Sequence, residues 1–178
     1  MTADRSGSPA RNTGATWRRG SLRPRTLRRI SFGSTSAVVT SIGLVVAFAS
    51  TDAARGTLIG SLLIVGIADN LTDSLSIHLY QEAEDVETHE AFRSTVSNFV
   101  VRLVLTATFV ALALTLSDGW LAGVAVVWGF ALLGMLTVEL ARQRRTSVRR
   151  ELVRHLAVAA AVVIISKAIG TFIVSRVS

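Results

Sequence analysis

Five apolar blocks divide this chain, at about 32–50, 57–80, 99–116, 120–138 and 155–174. A helix rising about 1.5 Å per residue needs roughly 17–25 apolar residues to cross about 30 Å of hydrocarbon, and each block has that length. A membrane barrel would instead show short segments of alternating polarity, which these continuously apolar runs lack. With 50% hydrophobic and only 17% charged residues, the chain has too little polar surface for a soluble domain of this size. The sequence therefore predicts an all-α integral membrane protein, a bundle of five transmembrane helices.

The charge pattern orients that bundle. Residues 1–29 carry eight Arg and one acid with no apolar periodicity, which reads as a disordered basic cytoplasmic arm ahead of a membrane domain at 30–178. The same composition also fits an organelle transit peptide. Six more Arg lie between Arg142 and Arg154, in the loop before the fifth block. Four crossings separate the two basic segments, so they share a side. The excess of Arg over the opposite side predicts a cytoplasmic N-terminus and an external C-terminus. The net charge of +7 is thus explained by orientation, without nucleic acid as a partner. Short loops, and the lack of a secretory signal beyond the first span, suit a bacterial inner membrane.

Ionisable groups at lipid depth cost about 2.5–3.5 kcal/mol each on insertion scales and mark functional sites by default. The second block contains Asp69, Asp73 and His78, and the fifth contains Lys167. Asp69 and Asp73 are four residues apart, hence on one helix face. That face continues through Ser76, Tyr80 and Glu84 as an oxygen-bearing stripe toward the cytoplasmic end. Two like charges one turn apart repel, and a bound divalent cation would relieve the repulsion. A second stripe, His78, Glu82, Asp85 and His89, mixes imidazole with carboxylate, a donor set suited to Fe, Mn, Co or Zn. The expected metal residues are Asp69, Asp73, Glu82 and Glu84, with Ser36, Thr40, Ser76, His78 and Tyr80 lining the path. An alternative pairs Asp69 with Lys167, which lies at similar depth, in a buried ion pair that fixes packing. The acidic segment QEAEDVETHE has its own plain reading as a solvated helix end.

Small and hydroxylated residues fill the first block: Gly33, Ser34, Thr35, Ser36, Thr40, Ser41 and Gly43. They permit close helix approach or line a polar path. Gly123, Gly129 and Gly134 are expected to pack the fourth span, with Trp120 and His155 at the membrane interface.

Three segments together resemble the vacuolar iron transporter family: GSTSAVVTSIGLVVAF, GIADNLTDSLSIHLYQEAE, and WGFALLGMLTVELARQRR followed by RRELVRHLAVAAAVVIISKAIG. The similarity runs in order over about residues 30–175. It implies five spans with the N-terminus inside and a homodimer whose first two helices line the ion path. It also implies proton-coupled export of Fe²⁺ or Mn²⁺ from the cytoplasm. Four departures stand out. Ser36 occupies a position where the family usually has Asp, Asp69 one where it usually has Met, and Asp73 one where it often has Glu. The family's long Glu-rich cytoplasmic insertion shrinks here to about residues 81–97, with Glu82, Glu84, Asp85, Glu87, His89 and Glu90 left to capture ions at the cytoplasmic mouth.

Two functions from different classes follow. One is a secondary transporter that moves Fe²⁺ or Mn²⁺ out of the cytoplasm along a carboxylate-lined path. The other is a non-transporting membrane scaffold or partner-binding protein, with Asp69 paired to Lys167. An enzyme is not expected, because no nucleophile–base constellation, P-loop, dinucleotide fingerprint or HExxH is present. Without cysteine there is no disulfide, thiolate site or iron–sulfur cluster. No cofactor is expected beyond the transported ion itself.

Overall fold

The computed structural model describes the backbone of residues 23–51, 53–83 and 88–177; the side chains of 23–32, 77, 78, 80–83, 88–91, 93, 94 and 177 fall outside that description. Among the described residues every regular element is helical: α1 (Arg23–Ala49), α2 (Arg55–Ala83), α3 (Thr88–Thr115), α4 (Asp118–Arg144) and α5 (Val148–Val177). Four of them hold stretches long and apolar enough to cross a membrane: Arg55–Ser76, Thr95–Thr115, Asp118–Arg144 and Val148–Arg176.

The outside of the bundle is as apolar as its inside. Ile64, Val127, Met135 and Ile164 are each about 70% exposed (69%, 71%, 71% and 68%). Water would penalise such a surface at about 25 cal/mol per Å², whereas lipid does not. The protein is a multi-pass membrane protein.

α1 is the hub. Among the described residues it packs against each of the other four helices, whereas α2 touches only α3 and α1, and α5 touches only α4 and α1. Val38, Ile42 and Val45 of α1 are fully buried, with Ser34 and Ser41 on the same side. Spacings of three and four keep these residues on one face.

Helix α4 buries Leu121, Ala125, Gly129, Leu133 and Thr137 at steps of four. A Cβ at Gly129 would lie 2.3 Å from two side-chain atoms of Ile42, so this glycine sets the approach of α4 to α1. Gly123 and Gly134 do not share that role. A Cβ at Gly123 would meet nothing within 4 Å, and one at Gly134 only Leu152 Cδ1 at 3.8 Å. Trp120 is 72% exposed at the start of α4, where an interfacial anchor is expected. His155 is half-buried and shares a 3.0 Å hydrogen bond with Thr137, joining α5 to α4.

Helix boundaries extend past the apolar blocks. α1 begins at Arg23, inside the segment expected to be a disordered arm, and α3 begins at Thr88, well before residue 99. Apolar content marks only the lipid-embedded part of a helix, while backbone hydrogen bonding continues into the polar flanks. Residues 1–22 and 84–87 lie outside the description.

Two connections meet at one end, where Arg55 Nη2 donates to Asp118 Oδ1 at 2.7 Å. Both side chains are open to solvent, so the pair contributes at most about 1 kcal/mol. At the other end, α4 stops at Arg145 in the left-handed region (φ 53°, ψ 35°), with Thr146 N–H donating to Ala141 O at 3.0 Å. A non-glycine residue there carries a steric cost of about 1–2 kcal/mol. Arg145→Gly is therefore expected to raise the thermal unfolding midpoint in detergent, by a margin of about 0.5–1 kcal/mol after the backbone entropy of glycine is charged. An unchanged or lower midpoint would contradict this.

Candidate functional site

Helix α2 turns one polar stripe toward α3: Gly66, Asp69, Asn70 and Asp73, at spacings of three and four. Helix α3 answers with Asn98, Arg102 and Thr106 at steps of four, ahead of the fully buried Phe109. A Cβ at Gly66 would sit 2.8 Å from Thr106 Cγ2, so the missing side chain lets the two helices close. Asn70, itself 1% exposed, donates from Nδ2 to the Phe99 carbonyl at 3.0 Å and stitches α2 to α3.

Arg102 is the centre of this seam. Its side chain is 2% exposed, and its Nη2 lies 2.5 Å from Asp69 Oδ2 while Nη1 pairs with Asp73 Oδ2. One guanidinium thus pairs with both carboxylates through separate nitrogens, hydrogen-bonded to Asp69 and in ionic contact with Asp73, a geometry lysine cannot reproduce with a single nitrogen. The repulsion expected between Asp69 and Asp73 is relieved by a residue of the protein itself. Two carboxylates against one guanidinium still leave a formal charge of −1 at lipid depth. Each Asp side chain also keeps about two-fifths of its surface open (40% and 39%).

A narrow crevice runs past Asp69 and Arg102 between α1, α2 and α3. It is lined by Thr40, Ser41, Gly66 and Thr106 among others, with room for about one water. Thr40, Ser41 and Thr106 bring hydroxyl groups to a lining that Ala37, Leu44, Leu62 and Val65 keep mostly apolar. Among the described residues no group of three or more His, Asp or Glu side chains converges. Asp69 and Asp73 are the only carboxylates the described seam brings together.

The expected residues divide accordingly. Asp69 and Asp73 share a face and a cation, and Thr40 lines the crevice beside them. Ser36 is half-buried on α1, outside that lining. Ser76 is exposed and donates its hydroxyl to the Thr72 carbonyl of its own helix at 2.9 Å. The side chains of His78, Tyr80 and Glu82, all of Glu84 and Asp85, and the side chain of His89 lie outside the described residues.

The alternative pairing of Asp69 with Lys167 is replaced. Lys167 is exposed on α5, and among the described residues α5 makes no contact with α2. Equal depth did not bring them together, because α1 lies between their helices. Arg102, the true partner, escaped the sequence reading because it sits only three residues inside the 99–116 block, where arginine usually serves as an interfacial anchor. The signal was present: one guanidinium inside the apolar run FVVRLVL.

Compared with models of known families, with curated proteins and with solved structures, the chain finds no match in any of the three.

Proposed function

We propose that this chain is a secondary transporter that carries Fe²⁺ or Mn²⁺ out of the cytoplasm, with proton coupling, along the crevice between α1 and α2. The observation that carries the reading is the pair Asp69 and Asp73, two carboxylates at lipid depth, one turn apart, each still two-fifths open, with Asp69 lining the crevice. Hard and borderline divalent cations prefer such oxygen donors. A residual negative charge in hydrocarbon is expensive, and a site that keeps one is poised to take up a cation or a proton. The resemblance to the vacuolar iron transporter family over residues 30–175 supports the same reading. With it go five spans, a cytoplasmic N-terminus, a homodimer and a bacterial inner membrane.

Arg102 favours a second reading. A fully buried guanidinium that holds both carboxylates is also what a purely structural latch between α2 and α3 looks like, as in a scaffold or partner-binding protein. The two separate on Asp73→Asn. This variant keeps Arg102 paired with Asp69, so the seam stays charge-balanced and folded. Uptake of Mn²⁺ into proteoliposomes under an imposed pH gradient is expected to fall at least about tenfold, as for loss of one charged ligand. Undiminished uptake by a well-folded Asp73→Asn protein would remove the carboxylates from the path, and absence of uptake by the wild type would leave the latch.

A further inference from the structure

The polar seam holds more hydrogen-bonding capacity than it uses. Among the described residues, Asn98 Oδ1 and Nδ2, Asn70 Oδ1, Ser74 Oγ and Arg102 Nε are buried without a hydrogen-bond partner. Native interiors hold only a few such atoms per hundred residues, so a cluster of them in one seam points to a missing partner or a second arrangement. Asn98 lies one turn from Arg102 on α3, and both press on Gly33 of α1. A Cβ there would meet Asn98 Oδ1 at 2.6 Å and Arg102 Cδ at 3.2 Å. The orphaned amide oxygen and the guanidinium stem therefore share one buried space.

We infer that Arg102 is a tethered cation with two stations: it occupies Asp69 and Asp73 when no metal is there, and it swings toward the Asn98 amide oxygen when a divalent ion takes its place. The inference rests on the transport reading and names the regulation of that same site. Its electrostatics are simple. Without metal the two carboxylates carry −2 and hold the guanidinium; with a divalent ion bound the pair is neutral, so the net attraction that held Arg102 is gone and the ion itself repels the guanidinium nearest it. A neutral acceptor within reach of the Arg102 stem gives the displaced N–H groups somewhere to bond without recapturing the carboxylates. Arg102 then competes with every arriving ion and, by refilling the site, assists release. The crevice is never left with two bare carboxylates, which limits leakage of other cations.

The test is Mn²⁺ binding to the full chain in detergent, measured by isothermal titration calorimetry. Arg102→Gln removes the competitor and is expected to tighten Mn²⁺ binding by about tenfold or more. Mere structural damage would weaken binding, so the sign of the change is diagnostic. Arg102→Lys keeps a cation but cannot bridge both carboxylates, so its affinity is expected to fall between those of wild type and Arg102→Gln. Asn98→Ala removes the second station while leaving the carboxylates intact, and is expected to weaken binding about three- to tenfold. If Arg102→Gln does not fold, Arg102→Met removes the same competitor, and its expected tightening is again a direction that damage does not produce; an unchanged or weaker affinity there would overturn the role. Equal Mn²⁺ affinity in wild type, Arg102→Gln and Asn98→Ala would overturn the two-station role and leave transport standing. No Mn²⁺ binding by wild type or Arg102→Gln would overturn both.

Discussion

Replacing Asp69 and Asp73 together with alanine is expected to cost about 3–5 kcal/mol of stability, read as a large drop in the unfolding midpoint of the detergent-solubilised protein. The cost comes from the residue left behind. Arg102 is 2% exposed, and both of its charged partners lie on α2. With these gone, the nearest unpartnered acceptors are amide oxygens, which can accept hydrogen bonds but cannot balance a charge. Adding Arg102→Met to the double variant should restore most of the loss, because a neutral, flexible side chain of similar length fills the seam without an ion. Tryptophan fluorescence during heating follows all three proteins. If the alanine pair unfolds like wild type, the guanidinium does not depend on the carboxylates. If the triple variant is no better than the double, the damage is packing and not charge. A flux assay on the alanine pair would confuse lost transport with lost folding, which is why Asp73→Asn is the better transport probe.

The second large effect is expected where α5 meets α1. A Cβ at Gly170 would lie 2.8 Å from the Ala47 carbonyl oxygen and 2.8 Å from Ser50 Cβ. Backbone cannot step aside as a flexible side chain can, so any larger residue must push the two helices apart. Gly170→Leu is expected to destabilise by about 1–3 kcal/mol or more, through overpacking and the loss of neighbouring contacts. Gly123→Leu is the matched control: a Cβ there meets nothing within 4 Å, and the added side chain faces lipid. Little or no loss is expected at 123. Equal losses at the two positions would mean that glycine acts through backbone flexibility and not through close approach.

Much of the scaffold was legible in the residues. Each apolar block contains a helix core because a spanning segment must satisfy its backbone internally and meet lipid with its side chains, and both demands are written locally. Asp69 and Asp73 were equally legible, since a carboxylate amid Ile, Leu and Val is conspicuous in any window, and a separation of four puts both on one face. Helix ends were not legible, because the polar flanks of α1 and α3 carry no hydropathy signal. Nor was the role of individual glycines: Gly123, Gly129 and Gly134 look alike in sequence, yet only Gly129 faces Ile42 of α1.

The partner of the carboxylates shows where local information ends. Depth can be counted along a chain, and by that count Lys167 and Asp69 were level. Lateral position cannot be counted, because it depends on which helix lies between which others. Sequence alone determined that this chain is an apolar helical membrane protein with two acids at lipid depth, for these follow from the cost of burying charge and backbone in hydrocarbon. Only the packing of α2 on α3, with α1 at the hub, decided that Arg102 holds those acids and Lys167 does not, because an ion pair requires contact and contact is a property of the assembled bundle.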